Sequence, residues 1–285
     1  MTFSVIIPAY NGEFFIEETL LSVLVQSRPA DEIIVSDDSS TDKTLEICQK
    51  YEDKIKIYRN ADGPSGFVRG WNKALEHNTC DYVCILHQDD LLDKDFLQEA
   101  EKALSTHNDI KHFFTPCKYI DEDSNELENP DYCDGTLKRY QGNEYITAYL
   151  TVGDPHIHRC PGVITHKDIF EVCKYREQAG HIADDDFFYR VGQYTDVLGL
   201  FLPLASYRIH PNSETGHLKA TELTLRLIND YDFQLKDAKN NKVLTTEHIQ
   251  YFKTNKNKYI RRLFGYGLKN KKANLVLTAL KYYIL

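Results

Sequence analysis

The chain has 285 residues, 42% hydrophobic and 27% charged, which fits an ordinary globular protein with one large α/β domain, alone or with an appendage. It opens on a strand-like run with no basic segment ahead of a long apolar core, and no run reaches about 18 apolar residues, so neither a secretory leader nor a membrane-spanning helix is expected. The net charge of −9 is uneven: residues 251–285 hold nine of the 34 Lys and Arg and none of the 43 Asp and Glu. The seven cysteines are odd in number and contain no C-x-x-C, which argues against a disulfide framework or zinc knuckle and for a reducing cytosol.

In chain order, Phe3 to Pro8 is a β-rich run closed by the loop signal Pro-Ala-Tyr-Asn-Gly. Glu13 to Gln26 carries Phe14, Ile16, Leu20, Val23 and Leu24 near helical spacing. Glu32 to Ser36 is a second strand that runs into Asp37-Asp38-Ser39-Ser40-Thr41, a helix start. Ile55 to Tyr58 is a third strand, followed by a glycine-bearing loop through Gly66 and a helix from Phe67 to His77. The fourth strand, Tyr82 to Leu86, ends abruptly at His87-Gln88-Asp89-Asp90. A helix over Phe96 to Thr106 follows, then one strand over Lys111 to Ile120, a polar loop over Asp121 to Gly142 and a loop over Pro155 to Gly162. Next come a short strand over Val163 to Thr165, a short helix from Lys167 to Cys173, and a helix opened by Asp184-Asp185-Asp186. Strands at Val197 to Pro203 and Ala205 to Ile209 lead to a helical remainder with breaks near Asn240 and Gly265-Tyr266-Gly267.

Strands alternating with helices over the first 90 or so residues predict a parallel sheet covered by helices. Such sheets bind ligands at the carboxyl ends of their strands. Two strands end there in paired aspartates, Asp37-Asp38 and Asp89-Asp90. Each pair reads either as a turn and helix cap or as part of a ligand site, and Asp89-Asp90 with His87 could hold a divalent cation and the diphosphate it would bind.

SVIIPAYN, EIIVSDDSSTDKT, GPSGFVRGWN and YVCILHQDDLL, in that order and spacing, resemble the family 2 glycosyltransferases. The resemblance is strong over Phe3 to Asp95 and weaker to Ser213. It implies an α/β fold of GT-A type: a Rossmann-like, mostly parallel sheet sandwiched by helices, with a helical C-terminal extension. The expected organisation is a catalytic domain over 1–213, divided into a nucleotide-binding half (1–107) and an acceptor half (108–213), followed by a basic helical region over 214–285. The implied activity is inverting, metal-dependent transfer of a hexosyl group from a UDP- or dTDP-linked donor to an acceptor hydroxyl, in polysaccharide or glycolipid synthesis.

Such a reaction needs the nucleotide recognised, the departing diphosphate neutralised and the acceptor deprotonated. The resemblance gives donor contacts to Pro8, Tyr10, Asn11, Asp37 and Asp38, and to Arg69, which otherwise reads as a surface charge. Where the family has Asp-x-Asp, this chain has His87-Gln88-Asp89 followed by Asp90. Asp89 is therefore the expected ligand of Mg²⁺ or Mn²⁺, with His87, Gln88 and Asp90 on the donor side. The family's Glu-Asp pair with an Arg six residues on becomes Ala183-Asp184 and Arg190. Asp184 is the expected base, Asp185 is one register away, and Arg190 is a donor contact. An Asp triplet at a helix start also reads as a response to the helix dipole. His210, at the end of Tyr207-Arg208-Ile209-His210, is expected near the metal and diphosphate, or at the surface before Pro211. His158 and Arg159 are expected to meet the acceptor.

The basic tail reads either as a helical subdomain packed on the body or as a docking surface for an anionic membrane, which would suit a lipid-linked acceptor. The expected partners are a nucleotide sugar and a saccharide or lipid-linked acceptor, in the cytoplasm or peripherally at the inner face of the membrane. The acidic body argues against nucleic acid. A homodimer is left open. The competing class is a sugar-nucleotide-binding module without catalysis, allowed by the departures at His87 and Ala183. A dehydrogenase is disfavoured because no G-x-G-x-x-G follows the first strand.

Overall fold

The structure, a computed structural model, describes residues 1–128, 133–151, 157–213, 216 and 218–284. Its first half runs β1 (Phe3–Ala9), α1 (Ile16–Leu24), β2 (Glu32–Asp37), α2 (Thr44–Gln49), β3 (Lys56–Arg59), α3 (Phe67–Leu75), β4 (Tyr82–Ile85), β5 (Leu91–Leu92) and α4 (Phe96–Ser105). Then come β6 (His112–Phe114), β7 (Cys117–Ile120), β8 (Glu126–Leu127), β9 (Leu137–Tyr140), α5 (Gly142–Tyr149), β10 (Val163–His166), α6 (Lys167–Val172) and α7 (Ala183–Val191). The chain ends with β11 (Val197–Leu200), β12 (Ala205–Arg208), α8 (Ala220–Asn240), α9 (Thr246–Lys269) and α10 (Ala273–Ile284).

The large sheet has the order β3-β2-β1-β4-β10-β6-β11-β9. Strands β3, β2, β1 and β4 are parallel, β10 runs against both β4 and β6, and β9 runs against β11. Strand alternation builds a core on each face. Ile6, Ile34, Val83 and Ile85 point to the side of Trp71 and Phe187, whereas Val5, Ile7, Ile33, Val35 and Cys84 point to the side of Leu20 and Leu97. Because β1 pairs with β2 on one side and β4 on the other, the strand order reverses at β1. That reversal opens a crevice at the carboxyl ends of β1 and β4, the place where open sheets of this type hold ligands.

Three local expectations change. The single strand over Lys111 to Ile120 is two strands in two sheets: β6 lies in the large sheet, and β7 lies in a small one ordered β5-β12-β7-β8. The break falls at Thr115-Pro116, where proline has no ladder donor and the Thr115 N–H turns to the Gly162 carbonyl at 2.7 Å. The polar stretch 121–142 contributes β8 and β9 among its described residues. Helix α9 runs through Gly265 and Gly267 to Lys269; a Cβ on Gly267 would lie 2.8 Å from Val276 Cγ2, so this glycine admits α10 rather than ending α9. The helical C-terminus also shares the main core. Tyr231, Leu235 and Phe252 lie in the same cluster as Ile6 and Phe187, so 213/214 is a change of topology and not a gap in packing. Among the described residues, no helix is long and apolar enough to cross a membrane.

Candidate active site at the carboxyl edge of the sheet

After β1 the chain turns through Asn11, whose φ of 48° is paired with hydrogen bonds to the next strand's loop. Its N–H donates to Ser40 Oγ at 2.9 Å, and its Oδ1 accepts from the Thr41 N–H at 2.9 Å. Gln88, beyond β4, clamps the Tyr10 backbone with both ends of its amide: Oε1 accepts from Tyr10 N at 2.8 Å, and Nε2 donates to Tyr10 O at 3.0 Å. A Cβ on Gly12 would fall 2.3 Å from Gln88 Oε1, which explains glycine there. Gln88 thus braces the β1 loop through its amide. Tyr10 is left exposed at the crevice, with Pro8 half-buried at the end of β1.

The aspartates ending β2 bind protein groups. Asp37 is buried, accepts from the Ser40 N–H at 3.2 Å and lies 3.4 Å from Arg59. Asp38 accepts from Asn60 Nδ2, Ser65 Oγ and the N–H groups of Ser65 and Gly66, at 2.7–3.1 Å. These four donors match the roughly four lone-pair sites of a carboxylate. In the structure this pair shapes the turn and the loop before α3, in keeping with the turn-and-cap reading. A nucleotide base would have to displace one of these donors to reach Asp38.

The β4 end is different. His87, Asp89 and Asp90 each offer a ligand atom within 4.8 Å of the others. Asp89 Oδ2 lies 2.9 Å from His210 Nε2, so the small sheet delivers His210 to the end of β4. Asp90 is 1% exposed; its Oδ1 accepts from the Arg208 N–H at 2.9 Å, while Oδ2 has no hydrogen-bond partner and lies 3.8 Å from His87 Nδ1. Burial, with the Asp89 charge beside it, holds the Asp90 carboxyl well above the usual carboxylate range. Burial also pushes the His87 imidazole down, keeping it neutral and able to ligate. His87 stacks on Trp71, with ring centroids 5.0 Å apart, and its Nε2 is 3.3 Å from Cys160 Sγ.

A divalent cation fits this donor set. A buried carboxylate oxygen without a partner, a second carboxylate facing an imidazole, and a neutral histidine between them are ligands in need of a charge. Two oxygens and imidazole nitrogen suit Mn²⁺ and Mg²⁺, the imidazole favouring the former.

The three aspartates opening α7 point three ways. Asp186 is fully buried between Arg176 and Arg190, with Gln234 Nε2 at 2.7 Å. Asp185 accepts from the Tyr149 hydroxyl at 2.7 Å. Asp184 is half-buried, and its carboxyl is pushed up to about 7 by desolvation and then by the neighbouring Asp185 charge. Asp184 and the β4 end share two neighbours, Tyr207 and Cys160. Tyr207 is raised by burial and then by the charges of Asp90, Asp184 and Asp89 together, and Cys160 is raised by burial and then by Asp184 and Asp90.

The other expected residues engage protein groups. Arg190 is buried on Asp186, with Nη2 2.7 Å from the Lys174 carbonyl; it ties down α7 and does not face the crevice. Arg69 is exposed and pairs with Glu177 at 2.8 Å. His158 is wholly buried, 2.7 Å from the Tyr145 hydroxyl and against Phe114 and Phe188. Its neighbour Arg159 points the other way, with Nε 3.1 Å from the Tyr119 hydroxyl; Tyr119 in turn meets Tyr207 edge-on at 6.0 Å. Pro155 and His156 lie outside the described residues.

Sequence reasoning missed Arg208. It is 2% exposed and donates to the Asp89 carbonyl at 2.8 Å, Ser124 Oγ at 2.9 Å and Glu18 at 2.6 Å, with its guanidinium 4.7 Å over Phe15. Its position two residues before His210 was the available signal. Trp71 and Cys160, which hold His87, carried none.

The family model for Glycosyl transferase family 2 matches residues 4–161, over half of the chain. The chain belongs to this family. Among curated relatives, the poly(ribitol-phosphate) β-N-acetylglucosaminyltransferase TarS of Staphylococcus aureus is 36% identical over 115 residues, covering 38% of this chain and 20% of TarS. The putative teichuronic acid biosynthesis glycosyltransferase TuaG of Bacillus subtilis is 43% identical over 99 residues, covering 34% of this chain and 39% of TuaG. The matches thus span well under two thirds of either family member. Among solved structures, TarS 1–349 in complex with UDP-GlcNAc superposes with a TM-score of 0.63 at 17% identity, over 99% of this chain and 91% of that one. The mannosyltransferase of Pyrobaculum calidifontis in complex with GDP-Man and Mn²⁺ gives 0.61 at 16% identity, over 99% and 84%. These likenesses show the shared GT-A fold.

Proposed function

We propose that this protein is an inverting glycosyltransferase that moves a sugar from a nucleotide-diphosphate donor, UDP- or dTDP-linked, to an acceptor hydroxyl. The observation that carries the reading is Asp184. It stands at a helix N-terminus and shares neighbours with Asp89 and Asp90, with its carboxyl pushed up to about 7, the range in which a general base works best near neutrality. In the proposed reaction the acceptor oxygen gives its proton to Asp184 and forms a bond to the anomeric carbon. The bond from that carbon to the diphosphate oxygen breaks on the opposite face, and the nucleoside diphosphate leaves with the electron pair. Asp185 is held by the Tyr149 hydroxyl, while Asp184 Oδ1 accepts from the helix backbone, the Asp185 N–H at 2.9 Å. His210 stands where the diphosphate would depart and can donate a hydrogen bond to it. Asp89, Asp90 and His87 would hold Mg²⁺ or Mn²⁺, which when bound neutralises diphosphate charge. Tyr10, exposed at the end of β1, offers a ring to the base, and Arg159 is the cation nearest the acceptor side.

The relatives support a UDP or dTDP donor and a polymer acceptor: TarS 1–349 was solved with UDP-GlcNAc, a relative from Shigella flexneri is a dTDP-rhamnosyl transferase, and TarS is a poly(ribitol-phosphate) β-N-acetylglucosaminyltransferase. Work at the cytoplasmic face of a membrane would follow. A thermal-shift screen of nucleotide sugars with Mn²⁺ identifies the donor, since a bound donor stabilises the native state. Transfer or donor hydrolysis by the wild type, lost in Asp184→Asn with donor binding kept, is the expected result. A wild type that binds donor but stays inert across many acceptors would instead make the protein a binding module.

A further inference from the structure

The tail's charges are almost unused within the molecule. Of the nine Lys and Arg in residues 251–285, only Lys256 forms an ion pair among the described residues, with Asp232 at 2.5 Å. Helix α10 packs by one face only: Leu275, Ala279 and Tyr282 lie with Ile228, Ile260 and Leu263 of α8 and α9. The remaining surface bares Leu277 (66% exposed), Leu280 (43%) and Tyr283 (66%), and Leu268 near the end of α9 adds a fourth large apolar side chain. Lys269, Lys271, Lys272 and Lys281 flank them, all exposed, and no acid occurs in this stretch. Single exposed leucines need no explanation. An apolar ridge rimmed only by lysines is the pattern of a helix that lies in a membrane interface.

We propose that α10 and the turn from α9 dock on a bilayer bearing anionic headgroups. Leu277, Leu280 and Tyr283 seat among the acyl chains' outer carbons, and the four lysines meet the headgroups. A second copy of the chain is the other natural occupant, but one helix ridge is too narrow for the roughly 1,000 Å² that a stable interface buries. The charge separation also orients the molecule, since the acidic body is repelled from the surface that attracts the tail. The Tyr282 hydroxyl donates to Asn229 Oδ1 at 2.7 Å, and the next residue, Asp230, accepts from the His181 N–H at 3.0 Å, three positions before Asp184. Helix α8 thus stands between α10 and the segment that leads into α7, and links the docking face to the body that holds the site. The inference rests on the surface of α10 and holds whether or not Asp184 acts as a base.

The test is co-sedimentation of the full chain with phosphatidylcholine vesicles made with and without phosphatidylglycerol. At about a fivefold gain per engaged basic residue, partition onto the anionic vesicles is expected to exceed that onto neutral ones by at least ~10-fold and to fall as salt rises. Leu277→Glu/Leu280→Glu should lose about 10-fold or more on the anionic vesicles. Lys269→Glu/Lys271→Glu/Lys272→Glu should lose the salt-sensitive part, with urea midpoints near wild type showing that both variants fold. Equal binding by wild type and the leucine variant, or none by either, overturns the proposal. A dimer in sedimentation velocity that the leucine variant abolishes, without vesicle binding, would assign the face to a second copy.

Discussion

His210 Nε2 lies 2.9 Å from Asp89 Oδ2, across 121 positions of sequence. Two sheets make the meeting possible. Asp89 leaves β4 of the large sheet, and β12 of the small sheet lays Arg208 against the Asp89 carbonyl and the Asp90 carboxylate before presenting His210. Calorimetry of donor binding with and without Mn²⁺ tests the pair. Asp89→Ala should remove the metal-dependent gain, ~10²-fold, and His210→Ala should reduce it about 10-fold. Equal donor affinity with and without Mn²⁺ in the wild type would remove the metal from this site.

Asp184 makes two linked pH predictions. As a base it acts ionised, so kcat/KM should rise with pH through about 7 and level above it, while Asp184→Asn should lower kcat by about 10²–10⁴-fold with donor Kd unchanged. The stability sign is the reverse. A carboxyl raised from its unfolded value of 3.8 to about 7 favours the fold while protonated, and that contribution is lost as pH rises through 7. Asp184→Asn, which cannot ionise, should therefore be more stable than wild type at pH 8, by roughly 1–4 kcal/mol, and close to it at pH 4. Urea unfolding at the two pH values reads the difference.

Asp186, two residues on, should behave oppositely. It sits between two guanidinium groups and shares a glutamine with α8. Asp186→Ala leaves Arg176 and Arg190 facing each other in the core and should destabilise by about 3–5 kcal/mol. If Asp186→Ala abolished activity while leaving the urea midpoint unchanged, the chemical role would belong to Asp186, two residues after Asp184.

Arg208 is the strut beneath the site. Arg208→Met keeps the apolar stem and removes the bonds to Asp89, Ser124 and Glu18, for an expected loss of about 2–4 kcal/mol. Because the Asp89 carbonyl loses its anchor, metal-dependent donor affinity should fall as well. Thermal unfolding and donor calorimetry on one preparation separate the two effects.

The first four strands were legible because their signal is local: short β-rich runs ending in Asp, Asn and Gly at the sheet's carboxyl edge. Thr115-Pro116, read through as one strand, and Gly267, read as a helix break, misled in opposite directions. A residue that interrupts a pattern in sequence can instead mark a change of sheet or a close approach by another element. Asp37-Asp38 and Asp89-Asp90 look alike as strings, yet the first pair meets loop N–H groups and the second leaves a buried oxygen without a partner.

Family, fold type and the three chemical tasks therefore follow from the sequence alone, since motif order, strand periodicity and residue type carry them. The tertiary structure alone decided what each aspartate meets. The triplet Asp184-Asp185-Asp186 is uniform as text, but helical geometry turns successive side chains by about 100°. One therefore meets two arginines, one a tyrosine hydroxyl, and one the neighbours it shares with Asp89 and Asp90, so surroundings rather than residue identity distinguish the three carboxylates.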